Sequence, residues 1–154
     1  EHTLNLSDKV YGSRSIAAIG VAAHECGHAI QHARHYVPLT VRSAIIPAAN
    51  IGSSLAWPLV LIGLIIPRLN FCMTIGILLF SLVVILQLVT LPVEFNASRR
   101  AIQIIRDSGY LAPDELKGAK SVLKAAAMTY VAAMVSVSLQ LLRLVILRNS
   151  RDDN

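Results

Sequence analysis

The 154 residues are 55% hydrophobic and only 15% charged, with a mean hydropathy of +0.60, which excludes an ordinary soluble domain, a disordered chain and a coiled coil. The formal charge of +5 comes from fourteen Lys and Arg placed around apolar runs. That pattern fits charge flanking a lipid bilayer and argues against a nucleic-acid partner. The acidic residues are clustered instead, and 68 consecutive positions between Glu25 and Glu94 hold no Asp or Glu.

In chain order, residues 3 to 7 alternate in period two and are followed by Asp8, Tyr11 and Gly12, so residues 1 to 14 are expected to form a short strand and a turn. Residues 15 to 36 have a helical pattern rich in Ala and Ile, with Pro38 as the expected stop. This helix carries His24, Glu25, His28, His32 and His35. Residues 41 to 66 contain no ionisable side chain beyond Arg42, and as a helix they would extend about 39 Å, enough to cross a membrane. Pro47 and Pro58 should kink that helix, and Asn50, Gly52, Ser53 and Ser54 give it a small polar face suited to helix packing. After a break at residues 67 to 70, a second apolar run at 71 to 91 completes a transmembrane hairpin.

Pro92 should open a separate polar helix over 93 to 108 that stops at Gly109. Pro113, Asp114 and Glu115 mark a further helix start, with the acids suiting its positive end. Residues 122 to 147 form a third apolar span, interrupted by Lys124, Gln140 and Arg143. The expected fold is therefore mainly α, one multi-pass membrane domain over 1 to 154 with a zincin-like helix and a short N-terminal strand. With three spans, residues 1 to 42 and 94 to 124 share a side and hold ten of the basic residues, against four on the other side. The excess places the first set on the cytoplasmic face, in the cell membrane. Cys26 and Cys72 form no CxxC pair and are expected to be reduced, buried thiols. No initiator Met and no signal-peptide pattern opens the chain, so upstream sequence is expected to be missing.

His24-Glu25-Cys26-Gly27-His28 is an HExxH run. On a helix, positions i and i+4 lie one turn apart on one face, so both imidazoles can reach one ion while Glu25 projects beside them. Such ligands suit zinc, and a catalytic zinc keeps one position for water. Glu25 would take a proton from that water and deliver it to the leaving amine. The motif alone also fits a helix with two packed histidines.

A third ligand decides between these readings. The metzincin pattern is absent, because Gln31 and Arg34 stand where it requires Gly and His. An aspartate in a later span, as in site-2-type intramembrane proteases, is absent too, since no Asp falls between Lys9 and Arg106. Glu94 is the first acid after the motif and lies where the second span returns to the motif's side. It is either the third ligand or one half of an ion pair with Arg99 or Arg100.

The run from Ala22 to His32, followed by two spans and then Leu91-Pro92-Val93-Glu94-Phe95-Asn96-Ala97-Ser98-Arg99-Arg100-Ala101, resembles the YugP-like membrane neutral zinc metallopeptidases over nearly the whole chain. More distantly, HExGH with a later Glu is similar to the HtpX and CAAX-prenyl-protease group. The resemblance implies that His24, His28 and Glu94 hold one catalytic zinc and that Glu25 is the general base. Two positions depart from the family pattern. Cys26 replaces a residue that is often aliphatic, and Asn96 stands where an Asp is expected, which leaves a charge beside the ligands open.

Several neighbours have two readings each. His32 either stabilises an oxyanion or lies on the helix's polar edge, and His35 ends the helix in solvent. Ser98 either supports a ligand or is a surface residue. Arg99 and Arg100 either clamp substrate or anchor lipid headgroups, and Tyr130 either donates to a reaction intermediate or packs in a core. The strand at 3 to 7 either pairs with an extended peptide or remains an unpaired edge. The function expected is a zinc-dependent membrane endopeptidase acting on peptides or membrane proteins. Its rivals are a zinc-binding membrane scaffold without activity and a metal transporter, the latter disfavoured because the two cleanest spans lack ionisable residues at mid-depth.

Overall fold

The computed structural model describes residues 3–153, and no strand occurs among them. The expected N-terminal strand is therefore corrected, its first two positions lying outside the described residues. Residues 3 to 7 are irregular, because their alternation finds no second strand to exchange hydrogen bonds with. The turn predicted after them is the one-turn helix α1, Asp8–Tyr11, in which the Ser7 carbonyl accepts from the N–H groups of Val10 and Tyr11.

Four longer helices follow: α2 Ile16–Ala33, α3 Val37–Ile65, α4 Phe71–Ser108 and α5 Pro113–Asp152, with a 3-10 turn at Pro67–Leu69. Ser15 caps α2, its Oγ accepting from the Ala18 N–H at 3.1 Å. The helix ends three residues short of the expected Tyr36. His35 takes a left-handed φ of 50° and the Tyr36 N–H turns back to the Gln31 carbonyl at 2.9 Å. Pro38 is consequently not a stop. It lies in the first turn of α3, where its missing N–H is not needed. Pro92 likewise opens no new helix, for α4 runs through it unbroken. The boundary at Gly109 holds, with φ at 67°. At the start of α5 the Glu115 carboxylate accepts from the Ala112 N–H at 2.8 Å, one half of a capping box.

The chain forms two compact units. One comprises the chain up to Thr40 together with Leu91–Val131. Its core is Ala23 from α2, Ala101 and Ile105 from α4, and Ala119 and Leu123 from α5. The buried face of α2 is Gly20, Ala23, Gly27 and Gln31, spaced every three or four residues and small enough for backbones to meet. They meet most closely at Gly27, where a Cβ would overlap the Ala97 carbonyl oxygen and lie 3.1 Å from the Ala97 Cα. Gly20 has more room, since a methyl group there would have its nearest neighbour 3.9 Å away. Gly27→Ala is therefore expected to destabilise the protein by about 1–3 kcal/mol and to lower its zinc content. Gly20→Ala should instead gain up to about 1 kcal/mol of helix propensity. Thermal unfolding in detergent, with zinc measured alongside, separates the two; equal behaviour would mean that the close approach at Gly27 is unimportant.

The other unit comprises Val41–Thr90 and the chain from Ala132 onward. Ala56 and Val60 of α3, Phe80 of α4 and Leu144 of α5 make its core. Pro47 and Pro58 lie inside α3. Of the expected small polar face only Gly52 packs, its would-be Cβ 2.8 Å from the Leu79 carbonyl oxygen. Ser53 and Ser54 are exposed and donate to the Asn50 carbonyl, each at 3.0 Å. Both cysteines are free, with Cys72 buried here and Cys26, on α2, half-buried.

By length and composition α3, α4 and α5 are each able to cross a membrane, and they contain the expected spans at 41–66, 71–91 and 122–147 apart from Ile66. Large apolar side chains such as Ile51, Leu61, Leu78, Leu88, Leu139 and Ile146 are exposed on them. Such faces suit contact with lipid, and a helix satisfies its own backbone there.

Candidate metal centre

The site lies wholly within the first unit. α2 supplies His24, Glu25 and His28, and α4 supplies Glu94, which is only 3% exposed. Contact between Gly27 and Ala97 brings the two helices close enough for their side chains to converge. Glu94 Oε2 lies 2.9 Å from His24 Nε2 and 3.5 Å from His28 Nε2. One ligand atom from each of the three residues falls within 4.8 Å of the others. Tetrahedral zinc with bonds near 2.1 Å needs ligand atoms about 3.4 Å apart, so the two distances to Glu94, 2.9 and 3.5 Å, bracket what an ion requires.

The surrounding hydrogen bonds fix which imidazole nitrogen is presented. Gln31 is fully buried, and its Nε2 donates to the Val93 carbonyl at 2.8 Å and to Asn96 Oδ1 at 3.1 Å. Its Oε1 is thereby turned to His28 Nδ1 at 2.9 Å. An amide oxygen can only accept, so Nδ1 carries a proton, and Nε2 is the nitrogen turned toward Glu94. His24 Nδ1 lies 3.1 Å from Ser98 Oγ, a contact that orients the ring with its Nε2 toward Glu94. The Glu94 carboxylate hydrogen-bonded to His28 raises that imidazole above its ordinary value against the opposing effect of burial, and Gln31 adds to the rise. The donor set, its spacing and these ring orientations all fit a zinc ion.

The structure brings together the three residues singled out by sequence as ligands and places Glu25 in a cavity beside one of them. His24, His28 and Glu94 converge, and Glu25 lines a cavity of about 700 Å³ with His28, His32 and His35. Ser98 is buried and hydrogen-bonded to His24 rather than a surface residue. Tyr130 lies on the wall of a second cavity beside His24 and Glu94. Asn96, standing where an Asp was expected, accepts from both Gln31 and the Arg100 Nε, the latter at 2.8 Å. Arg100 thus reaches the site through Asn96. Gln31 was missed as a contributor: its only sequence signal is a polar residue one turn after His28 on an otherwise small, apolar face. Gln31→Leu is expected to weaken zinc binding by about 10- to 100-fold. Competition titration with a chelator of known affinity measures this, and an unchanged affinity would remove Gln31 from the site.

A mainly helical protein with three potential membrane spans and a His-His-Glu centre beside an HExxH glutamate has the make-up of a membrane zinc peptidase. Comparison agrees. Residues 1–149 match the family described as "Putative neutral zinc metallopeptidase", and the chain belongs to that family. It is 49% identical over 152 residues to "Putative membrane protease YugP" of Bacillus subtilis (strain 168), covering 98% of this chain and 67% of that protein. No solved structure matches it.

Proposed function

We propose that this chain is a zinc-dependent membrane endopeptidase that cleaves peptides or membrane proteins with Glu25 as general base. The observation supporting this most directly is the meeting of His24, His28 and Glu94, with His28 sharing the wall of a cavity that Glu25 also lines. When bound by those three side chains, zinc supplies the Lewis acidity that makes water nucleophilic near neutral pH. Glu25 takes the proton of the attacking water and passes it to the leaving amine as the peptide bond breaks. Gln31 and Ser98 hold the two imidazole rings in place, so the ligands need no reorganisation during the reaction.

The scaffold reading accounts for the ligands and leaves Glu25 unexplained, because a structural site needs no base and closes its fourth position with a protein ligand. Glu94 follows Leu91 by three residues, about 4.5 Å along α4. The chemistry would therefore lie at the end of an apolar run, on the cytoplasmic side by the excess of basic residues. The test uses the full chain in nanodiscs with an unfolded polypeptide such as casein as substrate. Cleavage should stop on chelation and return with added zinc. A zinc-loaded protein that cleaves nothing would favour the scaffold.

A further inference from the structure

Two cavities abut the metal centre and share no lining residue. The larger opens along Glu25 and His28 and is bounded by Thr3, Leu4 and Leu39. The smaller, about 120 Å³, has His24, Glu94 and Ser98 on one wall and Val21, Val122, Leu123, Ala126, Ala127 and Tyr130 around the rest. We propose that this smaller cavity is a specificity pocket that receives the side chain of the substrate residue flanking the scissile bond and selects a branched aliphatic one. The proposal rests on the peptidase reading and names the substrate class for it.

Position is the first argument. A peptide whose scissile carbonyl is at the three ligands has the side chains on either side of that bond within a few ångströms of His24 and Glu94. One side of the polypeptide can run along the larger cavity, and a neighbouring side chain then has the smaller one beside it. Chemistry is the second argument. Val21 from α2 and Val122, Leu123, Ala126 and Ala127 from α5 offer aliphatic surface, and Tyr130 adds an aromatic ring. Of the polar groups at the ligand end, the Glu94 carboxylate is taken up by the two histidines and Ser98 Oγ by His24 Nδ1. A charged substrate side chain entering here would lose hydration against a mostly apolar wall that offers it no opposite charge beyond the ligands.

Size is the third. A cavity of about 150 Å³ lined by apolar side chains takes up benzene. At about 120 Å³, this one is suited to Val, Leu or Ile better than to Phe or Trp. The space exists because residues 126 and 127 of α5 are both alanine and Val122, one turn earlier, is short. Ala126 is exposed, so a larger side chain there does not enter the helix core.

The experiment measures kcat and KM for the zinc-loaded full chain on a peptide series differing only at the residues flanking the cleaved bond. Wild type should prefer Val, Leu or Ile over Gly or Asp at one flanking position by about tenfold or more in kcat/KM. Ala126→Leu, which fills the pocket, should turn that preference toward Ala and Gly, mainly through KM. Val122→Ala should raise the use of Phe. Zinc content, measured for each variant, shows that the centre is intact. Wild-type cleavage indifferent to the flanking residue, or a preference that neither variant shifts, would overturn the pocket and leave the peptidase reading standing. If zinc-loaded wild type cleaves no peptide in the series or any unfolded protein, the peptidase reading falls and the pocket falls with it.

Discussion

Glu25→Gln is expected to keep one zinc per chain and to lose peptide cleavage by about 10²- to 10⁴-fold, the range that a positioned general base contributes. The reasoning is geometric. Glu25 lines the large cavity beside His28 and is not among the three residues whose donor atoms meet. Gln has nearly the same size and can still hydrogen-bond water, but it cannot take a proton at neutral pH. Metal content and rate should therefore separate completely. If the variant cleaves at the wild-type rate, Glu25 is not the base; if it loses zinc, Glu25 belongs to the ligand set and the site must be redrawn.

Glu94→Ala should have the opposite signature, with zinc falling from about one per chain to nearly none and activity falling with it, since a catalytic zinc site is built on three protein ligands. The expected loss exceeds the 10- to 100-fold typical of a residue that only supports a ligand. Glu94 is also the carboxylate that both histidines approach. Its removal should consequently let His28 relax toward an ordinary imidazole, readable by NMR titration of the apo protein. Glu94→Gln keeps the volume and guards against a packing artefact, because Val93 and Ala97 on either side are fully buried. Full activity and full zinc in both variants would dismiss Glu94 as a ligand and make His32, one turn beyond His28, the next residue to examine.

What could be read from sequence was what depends on local period or on scarcity. The i, i+4 histidines needed only the helical repeat, and Glu94 stood out because no other acid falls between Glu25 and Asp107. Gly109 and Pro113 marked helix ends correctly because their effects are local. Prolines 38 and 92 were misleading, because a proline reports a lost N–H and not whether packing carries the helix past it. Pro38 fell in a first turn, where that loss is harmless, while around Pro92 the buried residues Val93, Glu94 and Ala97 keep α4 in place. The alternation at residues 3 to 7 suggested a strand that lacks a partner. The chain from Gln31 to Asn96 to Arg100 had no local signature, since its first link joins residues 65 positions apart.

The contact between Gly27 and Ala97 also bears on how a polypeptide gets in. Prising α2 from α4 to admit substrate would break that backbone contact, strip Gln31 of both bonds to α4 and separate the histidines from Glu94 in one movement. The ligand-bearing seam is thus the least economical door. On the other side of α2, the large cavity is bordered by Thr3, Leu4 and Asn5, which are exposed and belong to no helix or strand. Displacing that border costs little, since few buried contacts and no ladder of hydrogen bonds hold it. Entry and exit past the N-terminal segment would let the metal seam remain rigid through every turnover, with the traffic confined to the part of the wall that has least to lose.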